Sequence, residues 1–452
     1  MSFTFADEDR LARTPAHELA LSCLTAGIEA ATPRTAVDRT VSLEGGQLVV
    51  LPTGRSPGQR YDLDAYDDVY VLGGGNAAAH LASALEDVLG ERISGGVVVT
   101  DDPTPTEHVD VLPGDHPVPS ERGVESTRRL LDTAAHAEEN DLVLAGFTGG
   151  GSALLPAPAG DLMLSDLQET TDVLLASGAT IDEINAVRKH CSAIKGGRLA
   201  RRVAPATVVG LVISDVIGDD LSVIASGPLA PDPTSYGDAL AVLDRYDVDV
   251  PAAVRSHLQR GRDGEFAETP RSDDPAFERV DTHVLASGTD ALDAARDVAE
   301  ERGYNGVILS ARVRGEASEA AKTHVAIAEE CRATGNPISP PAVFLSGGET
   351  TVTLGDDHGA GGPNQEFALS AACELDESGI VVASVDTDGI DGTTDAAGAI
   401  VDAETVDPGK GLAALDRNDA SPLLDEAGAL IRTGASGTNV NDLRVLVVEE
   451  RS

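Results

Sequence analysis

Residues 69–85, VYVLGGGNAAAHLASAL, run from four apolar positions into three glycines and then into an alanine-rich stretch with helical periodicity. Val69–Leu72 reads as a buried strand, Gly73–Gly75 as the turn that ends it, and Asn76–Leu89 as the helix that follows. A strand feeding through glycine straight into a helix is the unit of a parallel sheet, because the helix carries the chain back for the next strand. Glycine here also lets backbone approach an anion, and the helix behind it offers unpaired N–H groups and a positive dipole end. The spacing Gly73-x-Gly75-x-x-Ala78, with Asp101 after the next strand as a ribose partner, equally fits a dinucleotide fingerprint.

The alternation continues outward from this segment. Residues 15–31 have helical periodicity, and Leu48–Leu51 with Tyr61–Leu63 reads as a hairpin-like stretch. Gly96–Thr100, Asp141–Phe147 and Thr207–Asp215 read as strands, and Glu125–His136, Asp166–Ala176 and Ile181–Arg202 as helices. This pattern favours a parallel sheet covered by helices on both faces. From 246 to 280 the chain turns polar and rich in turn residues (GRDGEF, PRSDDPAFERVD), which predicts a linker region. A second alternation follows, with strands at Thr282–Ala286, Gly306–Ser310, Ala342–Leu345, Thr350–Leu354, Ile380–Val385 and Arg444–Val448. Its helices are Thr289–Arg302 and Glu316–Thr334. The expected organisation is a domain over 1–245, the linker, and a second domain over 281–452.

The charge is lopsided: 76 acidic against 33 basic side chains give a net charge of −43 over 452 residues. Only Lys189, Lys195, Lys322 and Lys410 are lysines; the other basic residues are Arg. Repulsion of this size destabilises a compact chain in ordinary buffer and is screened by salt. An acidic excess spread along the whole chain, almost without Lys, points to adaptation to a salt-saturated cytoplasm. No basic stripe exists to neutralise phosphates, which argues against nucleic acid as a partner. Cys23, Cys191, Cys331 and Cys373 are far apart and form no C-x-x-C pair, so neither a disulfide framework nor a zinc site is indicated. The charged N-terminus lacks the apolar core of a secretion signal, and no apolar run approaches the ~20 residues of a membrane span. A cytoplasmic protein with reduced thiols is expected. With no Trp and 3% aromatic residues, its cores must be built from Val, Leu, Ile and Ala.

Four further stretches carry candidate chemistry. Gly146-Phe-Thr-Gly-Gly-Gly-Ser152 follows a strand directly, and its glycines Gly149, Gly150 and Gly151 beside the Ser152 hydroxyl suit a phosphate or carboxylate. In Asn185–Arg198 two of the four lysines survive, and Arg188, Ser192 and Lys195 fall on one face of the predicted helix. A cationic patch that keeps Lys in so acidic a chain points to an anionic ligand. Asp215 and Asp219 stand at another strand end, where they would position a metal or a hydroxyl. Past the strand Ile380–Val385, Asp386, Asp388 and Asp391 cluster among glycines as hard oxygen ligands suited to Mg²⁺, without the ligand spacing of an EF-hand.

Taken in order, VLGGGNAAAHLASALE, GDHPVPS, GFTGGGSALLP, NAVRKHCSAIKGGRLA, SDVIGDDLSVIASGPLAPDPTS, LSGGETTVTL, GGPNQEFALSAA, DTDGIDGTTDAAGAIVD and TGASGTNVNDL strongly resemble the glycerate 2-kinase family with its C-terminal MOFRL domain. The resemblance covers nearly the whole chain. It implies an α/β protein: a Rossmann-like N-terminal domain with a parallel sheet, a smaller mixed α/β MOFRL-type domain, and an active site in the cleft between them. It implies ATP and a divalent metal, Mg²⁺, as requirements, glycerate or a similar hydroxy acid as substrate, and 2-phosphoglycerate as product; a homodimer is left open. Carried onto this sequence, the resemblance assigns substrate or phosphate binding to Gly74, Gly75, Asn76, Gly149, Gly150, Gly151, Ser152, Asp215, Asn364 and Glu366. It assigns the nucleotide to Gly347, Gly348, Glu349, Thr438 and Asn439, and the metal to Asp386, Asp388 and Asp391. Two positions depart from the family pattern. Asn76 stands where members commonly carry Lys, and Pro363 where they commonly carry the Arg of Gly-Arg-Asn-Gln-Glu. Lys195 and Arg188 are then the cations expected at the phosphoryl group. The alternatives are a hydroxypyruvate-type NAD(P) reductase and a ligand-binding relative without turnover.

Overall fold

Strands that are apolar on both faces need cover on both faces, and this chain supplies it twice. The structure, a computed structural model, describes residues 4–51, 58–355 and 357–451. The chain divides into two compact units, Ala36–Leu285 and Met1–Thr35 together with Ala286–Ser452.

The first unit opens with a small antiparallel sheet of β1 (Val41–Glu44), β2 (Gln47–Val50) and β3 (Gln59–Asp62). Six strands form its main sheet: β4 (Val69–Gly74), β5 (Gly95–Thr100), β6 (Asp110–Pro113), β7 (Leu142–Phe147), β8 (Thr207–Ile213) and β9 (Val280–Ala286). Their order is β6-β5-β4-β7-β8-β9, and β6 through β8 are all parallel. The chain winds outward from β4 through β5 to β6, then returns to lay β7 on the other side of β4. The order therefore reverses between β4 and β7, and at such a reversal the loops part to leave a crevice beyond the strand ends. Leu72, Val97, Val99, Val143, Ala145, Val208 and Val212 pack with Leu130 and Ala134 of the helix Glu121–Ala134 and with Leu199, Ala200 and Val203 of the helix Arg198–Val203. Each such aliphatic side chain contributes about 1.5–3 kcal/mol when fully buried.

Two sequence expectations fail in this unit. The stretch 246–280 is not a linker. It holds the helix Ala252–Arg262, whose Val254 and Leu258 join a core with Leu174, Tyr236 and Leu243. A Cβ at Gly261 would lie 2.5 Å from the Tyr236 ring, so glycine there permits the close packing. The single predicted helix Ile181–Arg202 is two, Ile181–His190 and Arg198–Val203. Between them Gly196 and Gly197 take φ of 58° and 77°, which a helix does not allow.

The second unit is built around a mixed sheet of β10 (Asn305–Glu316), β11 (Ala342–Thr351), β12 (Ile380–Asp386), β13 (Gly398–Val401), β14 (Leu430–Ile431) and β15 (Asp442–Val448). The order is β10-β11-β15-β12-β13-β14; only β10 and β11 run parallel, and the other neighbours are antiparallel. Alternation along β15 shows how both faces are used. Leu446 and Val448 enter a core with Phe367 and Leu369, while Leu443, Val445 and Val447 enter another with Leu19, Leu24 and Ile28. Those last three belong to the helix Pro15–Ala31, capped by the Thr14 hydroxyl on His17 N. A Cβ at Gly27 would come within 2.5 Å of Leu443 Cδ2, so the helix lies hard against the sheet. The first 35 residues thus complete the unit formed by the second half of the chain, rather than the domain expected over 1–245. Among the described residues no helix is long and apolar enough to cross a membrane.

Candidate active site

Every element of the first cluster reaches the β4/β7 reversal. β4 ends at Gly74; Asn76 N donates to Gly149 O at 2.8 Å and Ala77 N to Thr148 Oγ1 at 3.1 Å, so the two glycine loops are bound to each other. Gly75 has φ of 144°, and a Cβ there would lie 2.1 Å from Thr148 Oγ1. A Cβ at Gly73 would lie 1.9 Å from Gly146 O. The glycines of the Gly73–Ala78 fingerprint are therefore required by the fit of β4 to β7 and need no dinucleotide to explain them. Asp101, the expected ribose partner, instead accepts from Asn76 Nδ2 at 3.0 Å on both oxygens.

Ser152 lies in the first turn after the second glycine loop. Its hydroxyl is 2.8 Å from Ser226 Oγ, and Ser226 Oγ in turn donates to Asn185 Oδ1 at 3.2 Å. Ala225 and Ser226 both adopt left-handed conformations, φ 49° and 60°. Two such non-glycine residues in succession cost roughly 1–3 kcal/mol each, a strain that persists where a site over-determines the backbone. Asn185, Thr148 and Ser226 went unremarked in the sequence reading. Polar side chains inside otherwise apolar segments were the available signal.

Lys195 is buried, and its Nζ donates to Ser152 O at 2.7 Å. Burial first, and the nearby Arg188 guanidinium second, push its pKa down to about 7. Arg188 is itself half-buried with its pKa lowered by burial, and among the described residues no carboxylate pairs with either cation. The structure thus brings together Lys195, Arg188 and Ser152, but through a loop and not on one helix face. Lys189 points elsewhere, 3.5 Å from the buried Asp232 carboxylate, and is a structural ion pair. The amides of Gly196 and Gly197 donate to Ser226 O and Gly227 O at 3.0 and 2.7 Å, so they do not face an anion. Asp215, at the end of β8, accepts from the Gly150 amide; burial raises its pKa, opposed by that hydrogen bond and by His116. It joins this cluster from the third strand. Two unpaired cations, a hydroxyl and glycine turns at a sheet reversal suit a small anion carrying hydroxyl groups.

The second cluster, in the other unit, is acidic. Asp386 ends β12 and is the group that burial and its neighbours disturb most. Burial, then Asp388, then Asp442 hold its pKa well above the carboxylate range. Asp388 accepts from Ile390 N at 2.8 Å and from Asn439 Nδ2 at 3.4 Å. Asp391 has a different task. Its Oδ1 accepts from Asn364 N at 3.0 Å and its Oδ2 from Gln365 N at 2.8 Å and Gln365 Nε2 at 3.0 Å, which caps the helix Pro363–Glu374. Burial nevertheless lifts its pKa to about 6. Both Asp391 oxygens thus serve the start of that helix, and among the described residues no three His, Cys, Asp or Glu are gathered to hold a metal ion. Of the three expected carboxylates, Asp391 is the one tied to the fold by three hydrogen bonds from residues 364 and 365.

The remaining assignments disperse. Asn364 is buried, donating Nδ2 to Asp442 Oδ1 at 2.7 Å and accepting from Ser384 Oγ at 2.5 Å. Glu366 is buried against Asn418, with burial raising its pKa. Gly348, φ 127°, is needed because a Cβ would meet Val313 O at 2.2 Å, and Gly347 faces Asp442 O at 3.1 Å. Glu349 is exposed on β11. Thr438 donates to Ala31 O at 2.6 Å, closing the end of the helix Pro15–Ala31, and Asn439 Oδ1 accepts from Asn441 N at 2.9 Å. Thr438 and both glycines thus have architectural duties. The sequence reading also missed Asp442, whose Oδ2 takes Thr350 N at 3.0 Å and the fully buried Arg444.

Residues 19–259 match the family described as domain of unknown function DUF4147, and residues 342–442 match the MOFRL family. A glycerate 2-kinase of Pyrococcus horikoshii is 38% identical, covering 96% of this chain and 98% of that protein. The chain belongs to the glycerate 2-kinase family. A solved glycerate kinase from Thermotoga maritima superposes with a TM-score of 0.82 at 38% identity, over 95% of this chain and 99% of that one. A protein of Agrobacterium vitis named as a putative hydroxypyruvate reductase is 41% identical over 84% of this chain and 86% of its own. Family membership accords with the two-domain α/β architecture, a parallel sheet with helices in one unit and a mixed sheet in the other.

Proposed function

We propose that this protein transfers the γ-phosphoryl group of ATP to the 2-hydroxyl of glycerate, releasing 2-phosphoglycerate and ADP. The observation that carries the reading is the buried Lys195 with the half-buried Arg188, neither paired to a carboxylate among the described residues, beside Ser152 at the β4/β7 reversal. Their charge holds the glycerate carboxylate and the phosphoryl oxygens, whose negative charge spreads as the bond to ADP breaks and the bond to the hydroxyl oxygen forms. Asp215 and Ser152 orient the hydroxyl. Asp386 and Asp388 are the residues that fit Mg²⁺, because Asp386 sits buried among like charges that a cation would relieve, and two carboxylates with substrate phosphates suffice for that ion. Mg²⁺ would supply charge neutralisation on the nucleotide. Gly347, Gly348, Glu349 and Asn439 remain our proposal for the nucleotide's surroundings.

The test is ADP release from ATP, Mg²⁺ and D-glycerate in molar KCl, run beside NAD(P)H oxidation with hydroxypyruvate. Glycerate-dependent ADP release is expected; hydride transfer without it would replace the kinase reading with the reductase one. Binding of glycerate with neither reaction would leave a ligand-binding relative. We infer too that the chain works in the cytoplasm at high salt, from its −43 charge and four lysines. Its thermal midpoint should climb from low to molar KCl, and a flat or falling midpoint would sink that inference.

A further inference from the structure

A separate cavity of about 410 Å³ opens against the 191–197 loop, and none of Ser152, Arg188 or Lys195 lines it. Its walls carry Arg198, Arg201, Arg202, Tyr236, His257 and Phe266. The rings brace one another: Tyr236 and His257 meet edge to face with centroids 5.9 Å apart, and His257 stacks on Phe266 at 4.9 Å. The arginines are not equivalent. Arg201 is neutralised, donating to Asp274 Oδ2 at 2.6 Å and to Glu268 O at 3.0 Å. Arg198 and Arg202 have no carboxylate partner among the described residues. Arg198 donates to the Tyr236 hydroxyl at 3.0 Å, and its Nε is buried without an acceptor. Arg202, exposed, donates Nε to Leu131 O at 3.2 Å. The nearby Glu268 carboxylate does not answer them, since it accepts from Tyr236 N at 3.2 Å and lies 3.2 Å from His190 Nε2. Asp161, beside the lining residue Gly160, faces Arg260 at 3.8 Å.

In a chain with 76 acids to 33 bases, a carboxylate is available for almost any arginine, so two unanswered guanidiniums in one concavity mark a place where the counter-charge comes from outside. Guanidinium forks match phosphate oxygens in pairs, and neither Arg198 nor Arg202 has a carboxylate to fill its fork among the described residues. The volume falls within the ~300–1,000 Å³ of small-molecule sites, and the aromatic wall suits an apolar or planar body. We propose that this cavity binds a small organic phosphate, its dianion held by Arg198 and Arg202 and its body against Tyr236 and Phe266. Ser192 belongs to the same wall, and its hydroxyl accepts from Lys195 N at 3.3 Å, so the occupant would sit against the loop that carries Lys195.

Titration calorimetry with phenyl phosphate on the full chain, in the salt that keeps it folded, tests the site. One phenyl phosphate per chain is expected, with inorganic phosphate at least tenfold weaker because it leaves the rings untouched. Arg202→Gln, at an exposed position, should weaken phenyl phosphate at least tenfold, and Arg198→Gln at least as much. Lys195→Ala should leave it within about twofold, because Lys195 does not line the cavity and its Nζ is turned to Ser152 O. Equal affinity for the two phosphates would overturn the proposal, as would no binding in the millimolar range. It also fails if binding survives Arg202→Gln but is lost in Lys195→Ala, which would place the phosphate at the Lys195 site instead.

Discussion

Two clusters of like charge, one in each unit, are built in opposite ways. Lys195 and Arg188 approach each other, Lys195 Nζ donates to the Ser152 carbonyl, and among the described residues no carboxylate pairs with either cation. Asp386, Asp388, Asp391 and Asp442 also converge, yet two of the four are occupied by the fold itself. Asp391 takes the amides at the start of the helix Pro363–Glu374, and Asp442 takes Thr350, Asn364 and Arg444. Asp386 stands apart, its charge resisted by burial first and then by Asp388 and Asp442. The difference teaches that residue type marks a candidate, while uncompensated charge marks a site. A carboxylate whose lone pairs are filled by amides holds the fold; a buried ammonium kept near neutrality is held ready for an anion.

The hardest blow to this comparison comes from Lys195→Ala. If Lys195 stabilises the transferring phosphoryl group, kcat falls about 10²–10³-fold, roughly 3–4 kcal/mol by analogy with a lost oxyanion donor, and KM for glycerate changes less. Stability should move the other way. The folded pKa of about 7 lies below the ordinary 10.5, so the folded state resists this charge at and below neutral pH, and removing it relieves the fold. Steady-state kinetics and a melt at pH 6.5 decide both halves. Near-normal kcat would strip Lys195 of its role and make Arg188 the next candidate.

The acidic side is sharpened by a matched pair. Asp391→Asn loses acceptors for buried N–H groups and should cost about 1–3 kcal/mol in stability, leaving the Mg²⁺ dependence of turnover unchanged. Asp386→Asn should do the reverse: unfold no earlier, because a resisted charge is gone, but need more Mg²⁺ for half-maximal rate. Denaturant melts and Mg²⁺ titrations of both variants provide the check, and matching behaviour in the two would dissolve the distinction.

A smaller effect is the pH profile. With Lys195 at about 7 in the free enzyme, kcat/KM should drop about fivefold between pH 7 and 8, as the cation is lost. Phosphate oxygens bound beside the ammonium favour its charged form, so kcat should hold to higher pH than kcat/KM does. A kcat/KM flat to pH 9 would show that the charge on Lys195 is not required.

How far the sequence could carry these conclusions depends on the range of the forces involved. Val69–Gly74 and the helix after it were legible because a doubly buried strand and an amphipathic helix write their periods locally. The helix Pro15–Ala31 was equally legible as a helix, but periodicity says only that it covers a sheet, not which one. The helix Ala252–Arg262 hid behind polar flanks, its buried face reduced to Val254, His257, Leu258 and Gly261. The break after His190 depends on amides of Gly196 and Gly197 donating to the 226–227 backbone, a contact no window around residue 195 contains. Asp391 resembled a ligand for the same reason: residues 364 and 365, which fill its lone pairs, are far away in sequence.

The smallest expected effect concerns Asn76, where the family resemblance leads to an expectation of Lys. Asn76 Nδ2 already reaches both oxygens of Asp101 at 3.0 Å, so an ammonium introduced by Asn76→Lys meets a carboxylate at once. An exposed pair of this kind contributes about 0.2–1 kcal/mol, enough for a slight rise in the thermal midpoint. Its charge is cancelled where it stands, so it adds little to the field of Lys195 and Arg188, and kcat should change less than about threefold. Removing the cancelling partner changes the expectation: in Asn76→Lys/Asp101→Asn the ammonium is unpaired, and KM for the anionic substrate should fall. A tenfold rise in kcat from Asn76→Lys alone would mean that Asp101 does not hold the new cation. Lys195 and Arg188 would then supply only part of the charge the reaction needs, and the cationic cluster would be incomplete in the native chain.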